Sequence, residues 1–469
     1  MKNKYVSIVM AVMFLVTFSF HNACAGGWKK SYHAGKFENN IRYLGGTEIM
    51  FLTSHKGKLY AGTGMWMNSI PLPDSISAQI LVKESPSDRW KLDYQTDKQI
   101  LRVDHLASIT FGTDGQGNKL NQPVNLLVAG LWDTGSPLPA AATVAVRDDE
   151  KNEWITTDLF KLATINYPST IRAIGMHKDK ITGIDRVFAE VFLEGIFSGV
   201  YDATAPGKIR WESTPEFTAF EERVMSFGEC NGELYAAVKP AIYKRIDGPT
   251  PTWGKVYEYT TFPGDKPSWQ GGSSGMRGLT AIPNPKGDGE VLLMALESLA
   301  IEGYSKGAKI VYLNPSDNNS VTTELDLGAF LKEPLKEVWS AELNYVITAY
   351  NDMERVTDPN TGEDLLLMGG SHGTPEGKSD SAWYLVRHPD ATYTVHEIPY
   401  IFDPRGQPKA LQGTRTIRVS PFAKDKGQVL YFGGFDCAFK TSHDTAWIYS
   451  VDIDTALGIA KEPSARNDF

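Results

Sequence analysis

Four arginines open apolar runs of similar design along this chain, at Arg172, Arg223, Arg277 and Arg415. A guanidinium group offers a rigid fork of N–H donors that matches a carboxylate or sulfate in bidentate fashion. Such groups repel one another and are costly to desolvate together without anionic partners. Recurrence at one position therefore suggests a cationic funnel for an acidic ligand. The same residues could instead pair with carboxylates of neighbouring repeats, for which Glu190, Glu194, Glu229 and Glu297 are available. Histidine is scarce, at nine residues. His105 opens a first strand while His372 and His443 fall in loops between second and third strands, which puts all three on one expected face at the channel mouth. An imidazole titrating near neutrality is the usual carrier of a catalytic proton. His443, followed by Asp444 and Thr445, could equally be a turn residue satisfied by local backbone, and three histidines from three repeats have no diagnostic zinc spacing. Trp66 and Trp132 would stack a sugar ring or else pack between repeats. Glu194, Glu297 and Asp436 could supply the carboxylate pair of a hydrolase.

The elements that must position these residues are short β-strands. Alternating apolar runs recur between Gly, Pro, Asn and Asp turns, with no long amphipathic helix, which is an all-β pattern. The runs form a four-strand unit whose last strand begins at Trp or another β-former. Arg223–Phe227, Glu233–Val238, Ala241–Arg245 and Trp253–Tyr257 show it most clearly. Seven such units are expected, with first strands opening near Glu48, His105, Arg172, Arg223, Arg277, Tyr345 and Arg415. The seventh lacks a fourth strand at its C-terminal end, and Trp28-Lys-Lys-Ser-Tyr has the missing pattern. The expected fold is a single seven-bladed β-propeller over residues 26–455, closed by an N-terminal strand at 28–34 and followed by a polar tail at 456–469. Closure would pair two otherwise open sheet edges. A β-sandwich pair is the rival, but it gives no reason for the recurring late Trp.

Lys2 and Lys4, the apolar run Val6–Phe20 and Ala23-Cys24-Ala25 read as a secretory signal over residues 1–25, cleaved after Ala25. Lipid attachment at Cys24 is the minor alternative, because His21 stands where a lipobox wants an aliphatic residue. The expected location is periplasmic or extracellular, without a membrane span. Net charge is −9, and the leader takes two lysines and no acid with it, which argues against nucleic acid. Cys230 and Cys437 form no disulfide framework. Asp114–Asn118 and Asp358–Asp364 resemble calcium loops but miss the twelve-residue ligand pattern and suit hairpin turns. No metal or other cofactor is expected, and the chain is expected to act as a monomer.

Gly278-Leu-Thr-Ala-Ile-Pro-Asn-Pro, Ala349-Tyr-Asn-Asp-Met, Gly433-Gly-Phe-Asp-Cys and Ser442-His-Asp-Thr-Ala-Trp-Ile resemble segments of uncharacterised exported bacterial β-propeller proteins. The likeness spans most of the mature chain and implies no activity. In architecture and residue types the chain is more distantly similar to seven-bladed polysaccharide lyases, in which His and Tyr move the proton while Arg neutralises a uronate. Two functions stay open. A lyase or hydrolase on anionic glycans would use Arg172, Arg223, Arg277 and Arg415 for the acid group, His372, His443 or His105 for the proton, and Trp66 and Trp132 for stacking. A non-catalytic propeller would use the same funnel, with Glu297 and Asp436 at its mouth, to bind a glycan, another small molecule or a protein.

Overall fold

In the computed structural model, residues 27–38, 42–65, 77–135, 138–162, 169–192, 194–218, 223–238, 241–258, 275–296, 308–331, 345–373, 382–401, 411–436 and 445–459 are described. The proposed leader, Trp66, Glu297, Cys437 and His443 lie outside them. The described chain is all-β, with antiparallel ladders throughout. Its few helices are short, and no helix among the described residues is long and apolar enough to cross a membrane.

Among the described residues the ladders resolve into seven consecutive antiparallel units of four strands. Unit one is Glu48–His55, Lys58–Gly64, Gln79–Lys83 and Lys91–Gln95. Unit two is Ile100–Thr113, Lys119–Asp133, Ala140–Asp148 and Glu153–Leu162. Units three to five begin at Ile174–Lys178, Val224–Cys230 and Met276–Pro283. In unit six the first strand is broken into Tyr345–Thr348 and Glu354–Thr357, both paired with Asp364–Gly373. Unit seven is Leu411–Val419, Val429–Asp436 and Thr445–Asp452, and its fourth strand is Lys29–His33 from the other end of the chain.

Burial follows from strand position. The second and third strands are nearly continuous apolar runs, as in Gln79–Lys83, because both of their faces are covered. The fourth strands lie closer to solvent, as in Glu153–Leu162, where four of ten residues are exposed and none is fully buried. Apolar clusters couple each unit to the next. Val103, Leu127 and Ala129 meet Tyr60 and Ile80; Val346, Leu366 and Trp383 meet Val291 and Ile310; and Tyr32, Tyr431 and Ile448 of unit seven meet Leu52, Leu59 and Trp90 of unit one.

The late aromatic of units one, two, four and six has a polar purpose as well. Trp154 Nε1 donates to Asp93 of the preceding unit at 2.7 Å, and Arg147 Nε donates to the same carboxylate at 2.9 Å. Trp253 and Arg245 share Glu216 at 3.1 and 2.6 Å, and Tyr393 and Arg387 share Glu324 at 2.5 Å each. In unit one the indole of Trp90 reaches back instead to Ser31 Oγ, at 3.0 Å, on the N-terminal strand. One aromatic position thus ties successive units and also ties the first to the strand that completes the seventh.

The first strands carry bulges close to their starts, between Ile49 and Phe51, Ile100 and Arg102, Val103 and His105, Val224 and Ser226, Arg277 and Thr280, and Thr414 and Thr416. A bulge adds a residue and re-aims side chains. At Gly278, in the fifth of these, φ is +64° and an added Cβ would lie 2.7 Å from Ala349 Cβ, so a larger residue would be both strained and obstructed. Two expected strand openings shift: unit two begins at Ile100 rather than His105, and unit seven at Leu411 rather than Arg415. Unit six opens at Tyr345 as expected, but the break in its first strand carries Tyr350, Asn351 and Asp352 inward.

Candidate functional site

The strand starts converge on a buried charge cluster. Arg415 Nη2 lies 2.7 Å from Glu48 Oε2, and Arg102 Nε lies 3.5 Å from Glu48 Oε1 and 3.0 Å from Asp104 Oδ1. Arg172 Nη1 is 3.6 Å from Asp104 Oδ1, while its backbone N–H donates to Glu190 Oε2 at 2.8 Å. Arg277 Nη1 donates to the Tyr350 carbonyl at 2.8 Å. The Tyr350 ring lies between two guanidinium groups, 5.6 Å from that of Arg277 and 4.6 Å from that of Arg415. Arg223 lies over the Phe192 ring at 4.6 Å, close enough to act on both Asp104 and Glu190. Five arginines therefore meet three carboxylates, Glu48, Asp104 and Glu190, which are 0–1% exposed.

This imbalance appears in the titration of the cluster. Burial, reinforced by Arg277, Arg102 and Arg223 against the pull of Asp104, drives the Arg172 pKa well below its ordinary range. Burial pushes the Asp104 carboxyl up, but Arg102, Arg172 and Arg223 with the Thr170 hydroxyl outweigh it and hold it below the usual value. Burial dominates at Glu190, which rises to about 7 despite Arg223 and the Arg172 N–H. Arg415 Nε and Nη1 are buried and have no hydrogen-bond partner among the described residues, and the same holds for Glu190 Oε1. A buried donor left unmade costs about 1–3 kcal/mol, and more when charged. Anionic oxygens would satisfy these two donors, which point from different sides of the Arg415 guanidinium.

Of the residues singled out in the sequence, Arg172, Arg223, Arg277 and Arg415 come together here. Trp132 is drawn in indirectly. It sits opposite Arg102 in the ladder, and the guanidinium of Arg102 lies 5.7 Å from its ring centre, so one face is already engaged. Asp436 ends the second strand of unit seven, buried, 3.4 Å from His33 Nε2. Glu194 is partly buried beside the third unit's second hairpin, and burial raises its pKa.

Two histidines are placed differently from the expectation. His372 is fully buried in unit six, with Nδ1 accepting from Trp383 Nε1 at 3.1 Å, and burial lowers its pKa to about 3. It therefore lies in the packed interior, where burial disfavours the charged imidazolium. His105 lies five residues into its strand, beneath the arginines, with Nδ1 donating to the Arg172 carbonyl at 3.2 Å. Burial lowers its pKa to about 4.

Sequence reasoning missed Arg102, Asp104 and Tyr350. Arg102 repeats the strand-start arginine, but it stands 52 residues before Trp154, against 39 from Arg172 to Trp211 and 30 from Arg223 to Trp253, so repeat length did not point to it. Tyr350 had no such signal, because it depends on a broken strand. Below the cluster, one cavity touches the first strands of all seven units, with Phe51, His105, Ile174, Phe227, Leu279 and Arg418 among its lining residues. Asn351 divides the two regions, accepting from Arg172 Nη2 at 3.4 Å and donating to the Met50 carbonyl at 2.5 Å. Among the described residues no cluster of His, Cys, Asp and Glu has the makings of a metal site.

No family model matches the chain, and no curated protein does. Among solved structures, a protein of unknown function from Dyadobacter fermentans aligns at 9% identity over 91% of this chain and 100% of its own, with a TM-score of 0.39. The core factor of S. cerevisiae aligns at 9% identity over 94% of this chain and 61% of the other, with a TM-score of 0.35. Likenesses this low carry no argument about fold or function.

Proposed function

We propose that this chain is an exported, seven-bladed β-propeller that binds an anionic ligand at the arginine-rich end of its axis, and that binding rather than catalysis is its activity. The ring is supported by the apolar contact of unit seven with unit one, by the Trp90–Ser31 tie, and by the single cavity that every first strand touches. Export rests on the N-terminal sequence, with Lys2 and Lys4 ahead of the apolar run Val6–Phe20. The observation that carries the ligand reading is the pair of unpartnered Arg415 donors, Nε and Nη1, buried in a cluster with more arginines than carboxylates. Its chemistry suits the carboxylate of a uronic acid or the sulfate of a sulfated sugar.

A second reading has one observation in its favour. Glu190, with a pKa of about 7 and one unpartnered oxygen, could hold or release a proton beside a neutralised uronate. The two separate in one experiment. The protein beginning at Gly26 is titrated with oligogalacturonate, oligoglucuronate and sulfated oligosaccharides by calorimetry, while ultraviolet absorbance follows unsaturated ends and reducing ends are assayed. Binding with no turnover supports the first reading. Turnover that Glu190→Gln abolishes would replace it with the second, and silence in every channel removes both.

A further inference from the structure

The cavity below Asn351 has a chemistry unlike that of the arginine cluster. Its volume is about 430 Å3, at the small end of the roughly 300–1,000 Å3 of small-molecule sites. Phe51, Phe227, Leu279 and Ile174 give it apolar walls. The hydroxyls along it have spent their protons on the chain: Thr53 Oγ1 donates to the Leu106 carbonyl at 2.6 Å and Ser226 Oγ to the Phe227 carbonyl at 3.3 Å. Arg418 places three of its five N–H groups on the chain, through Nη1 to Glu354 at 3.0 Å and to the Ile417 carbonyl at 2.6 Å, and through Nη2 to Asp352.

What remains is acceptor capacity. Because His105 Nδ1 gives its proton to the Arg172 carbonyl, the neutral ring presents Nε2 as a lone-pair acceptor, and no hydrogen bond to Nε2 occurs among the described residues. The half-exposed carboxylate of Asp352 is close enough to act electrostatically on His105. An anion would meet two carboxylates, Asp352 and Glu354, against the one guanidinium of Arg418. A cation would meet Arg418 and lie under five arginines. A neutral molecule bearing several hydroxyls fits, since it brings donors to His105 and Asp352 and packs its C–H face on Phe51 and Phe227.

We propose that this cavity is a second binding site, for a neutral polyhydroxylated ligand of about monosaccharide size, held by His105 Nε2 and the Asp352 carboxylate. It is independent of the anion site, which lies across Asn351.

The test is calorimetric titration of the mature protein with glucose, galactose, mannose and xylose, alongside glucuronate and glucosamine as charged counterparts and cyclohexanol as the hydroxyl-poor control. At least one neutral sugar is expected to bind at one per chain and more tightly than its charged counterpart. Asp352→Asn and His105→Phe are each expected to weaken it about tenfold, the loss of one strong hydrogen bond, while Arg415→Lys leaves it unchanged. Asp352→Asn also loosens Arg418, so His105→Phe, which keeps the ring against Phe51 at 4.3 Å, is the second variant. Undiminished binding by folded His105→Phe, equal binding of cyclohexanol, or no neutral sugar bound at millimolar concentration would overturn the proposal.

Discussion

Replacing Glu48 by Gln perturbs the arginine cluster with almost no change of shape. The carboxylate is wholly buried and faces two guanidinium groups, 2.7 Å from Arg415 and 3.5 Å from Arg102. Removing one partner of a buried pair leaves the other charge uncompensated and costs about 3–5 kcal/mol, against about 0–1 kcal/mol for an exposed pair. With total stability of order 5–15 kcal/mol, Glu48→Gln should still fold but with a much lower urea midpoint. It should also free more of the Arg415 fork, so an anionic ligand should bind about tenfold more tightly than to the wild type. Saturating ligand then restores stability, by about 2.7 kcal/mol at a hundred times its dissociation constant. Urea unfolding with and without oligogalacturonate measures both effects. A Glu48→Gln protein as stable as the wild type would mean that the cluster is solvated and that the case for an anion is mistaken.

Other outcomes follow from the same geometry. Glu190 holds its proton to about pH 7 when folded, against an ordinary value of 4.5; the folded state binds the extra proton between those values, so stability falls as pH rises through that window. Glu190→Gln should remove the fall and leave the variant more stable above pH 7 by on the order of 3 kcal/mol, and parallel pH–stability curves would contradict it. Arg245, fully buried against Asp179, Glu216 and Asp247, should cost about 3–5 kcal/mol when changed to Met, read as a urea midpoint; a neutral change would show these ties to be incidental. Deleting residues 27–33 should lower stability through loss of the pairing with Thr445–Asp452 and of the Trp90 and Tyr32 contacts. A peptide of that sequence added in trans should recover part of it, and no recovery would count against the strand's role in closure.

The repeat was legible in the sequence because burial and alternation differ by strand position. Glu233–Val238 and Ala241–Ile246 appear where their apolar runs predict, and Trp28-Lys-Lys-Ser-Tyr foreshadows the strand Lys29–His33 that pairs into unit seven. The recurring Trp was visible too, but not its partners, since Asp93 and Glu324 belong to the preceding unit and contact is set by how the units stack. The strand-start arginines gave the position of the charge cluster and not its composition. Bulges at Ile100/Arg102 and Val103/His105 decide which side chains of unit two face inward, and a one-residue shift exchanges the two faces of a strand. That is why His105 was expected at the mouth while Arg102 and Asp104 went unnoticed. His372 failed as a surface candidate for a related reason: its glycine-rich surroundings read as a loop, yet Asp364–Gly373 continues as a strand and buries it against Trp383.

The most direct test is a calorimetric comparison of the wild type with Arg415→Lys, titrated with oligogalacturonate at low and at high salt. Lysine keeps the charge and the salt dependence but loses the forked donors. If Arg415 grips the ligand through its unpartnered Nε and Nη1 donors, affinity falls at least about tenfold in the variant at both salt concentrations. Equal affinities, or a difference that vanishes in high salt, would mean that the cluster attracts anions only through its net charge and holds no built site.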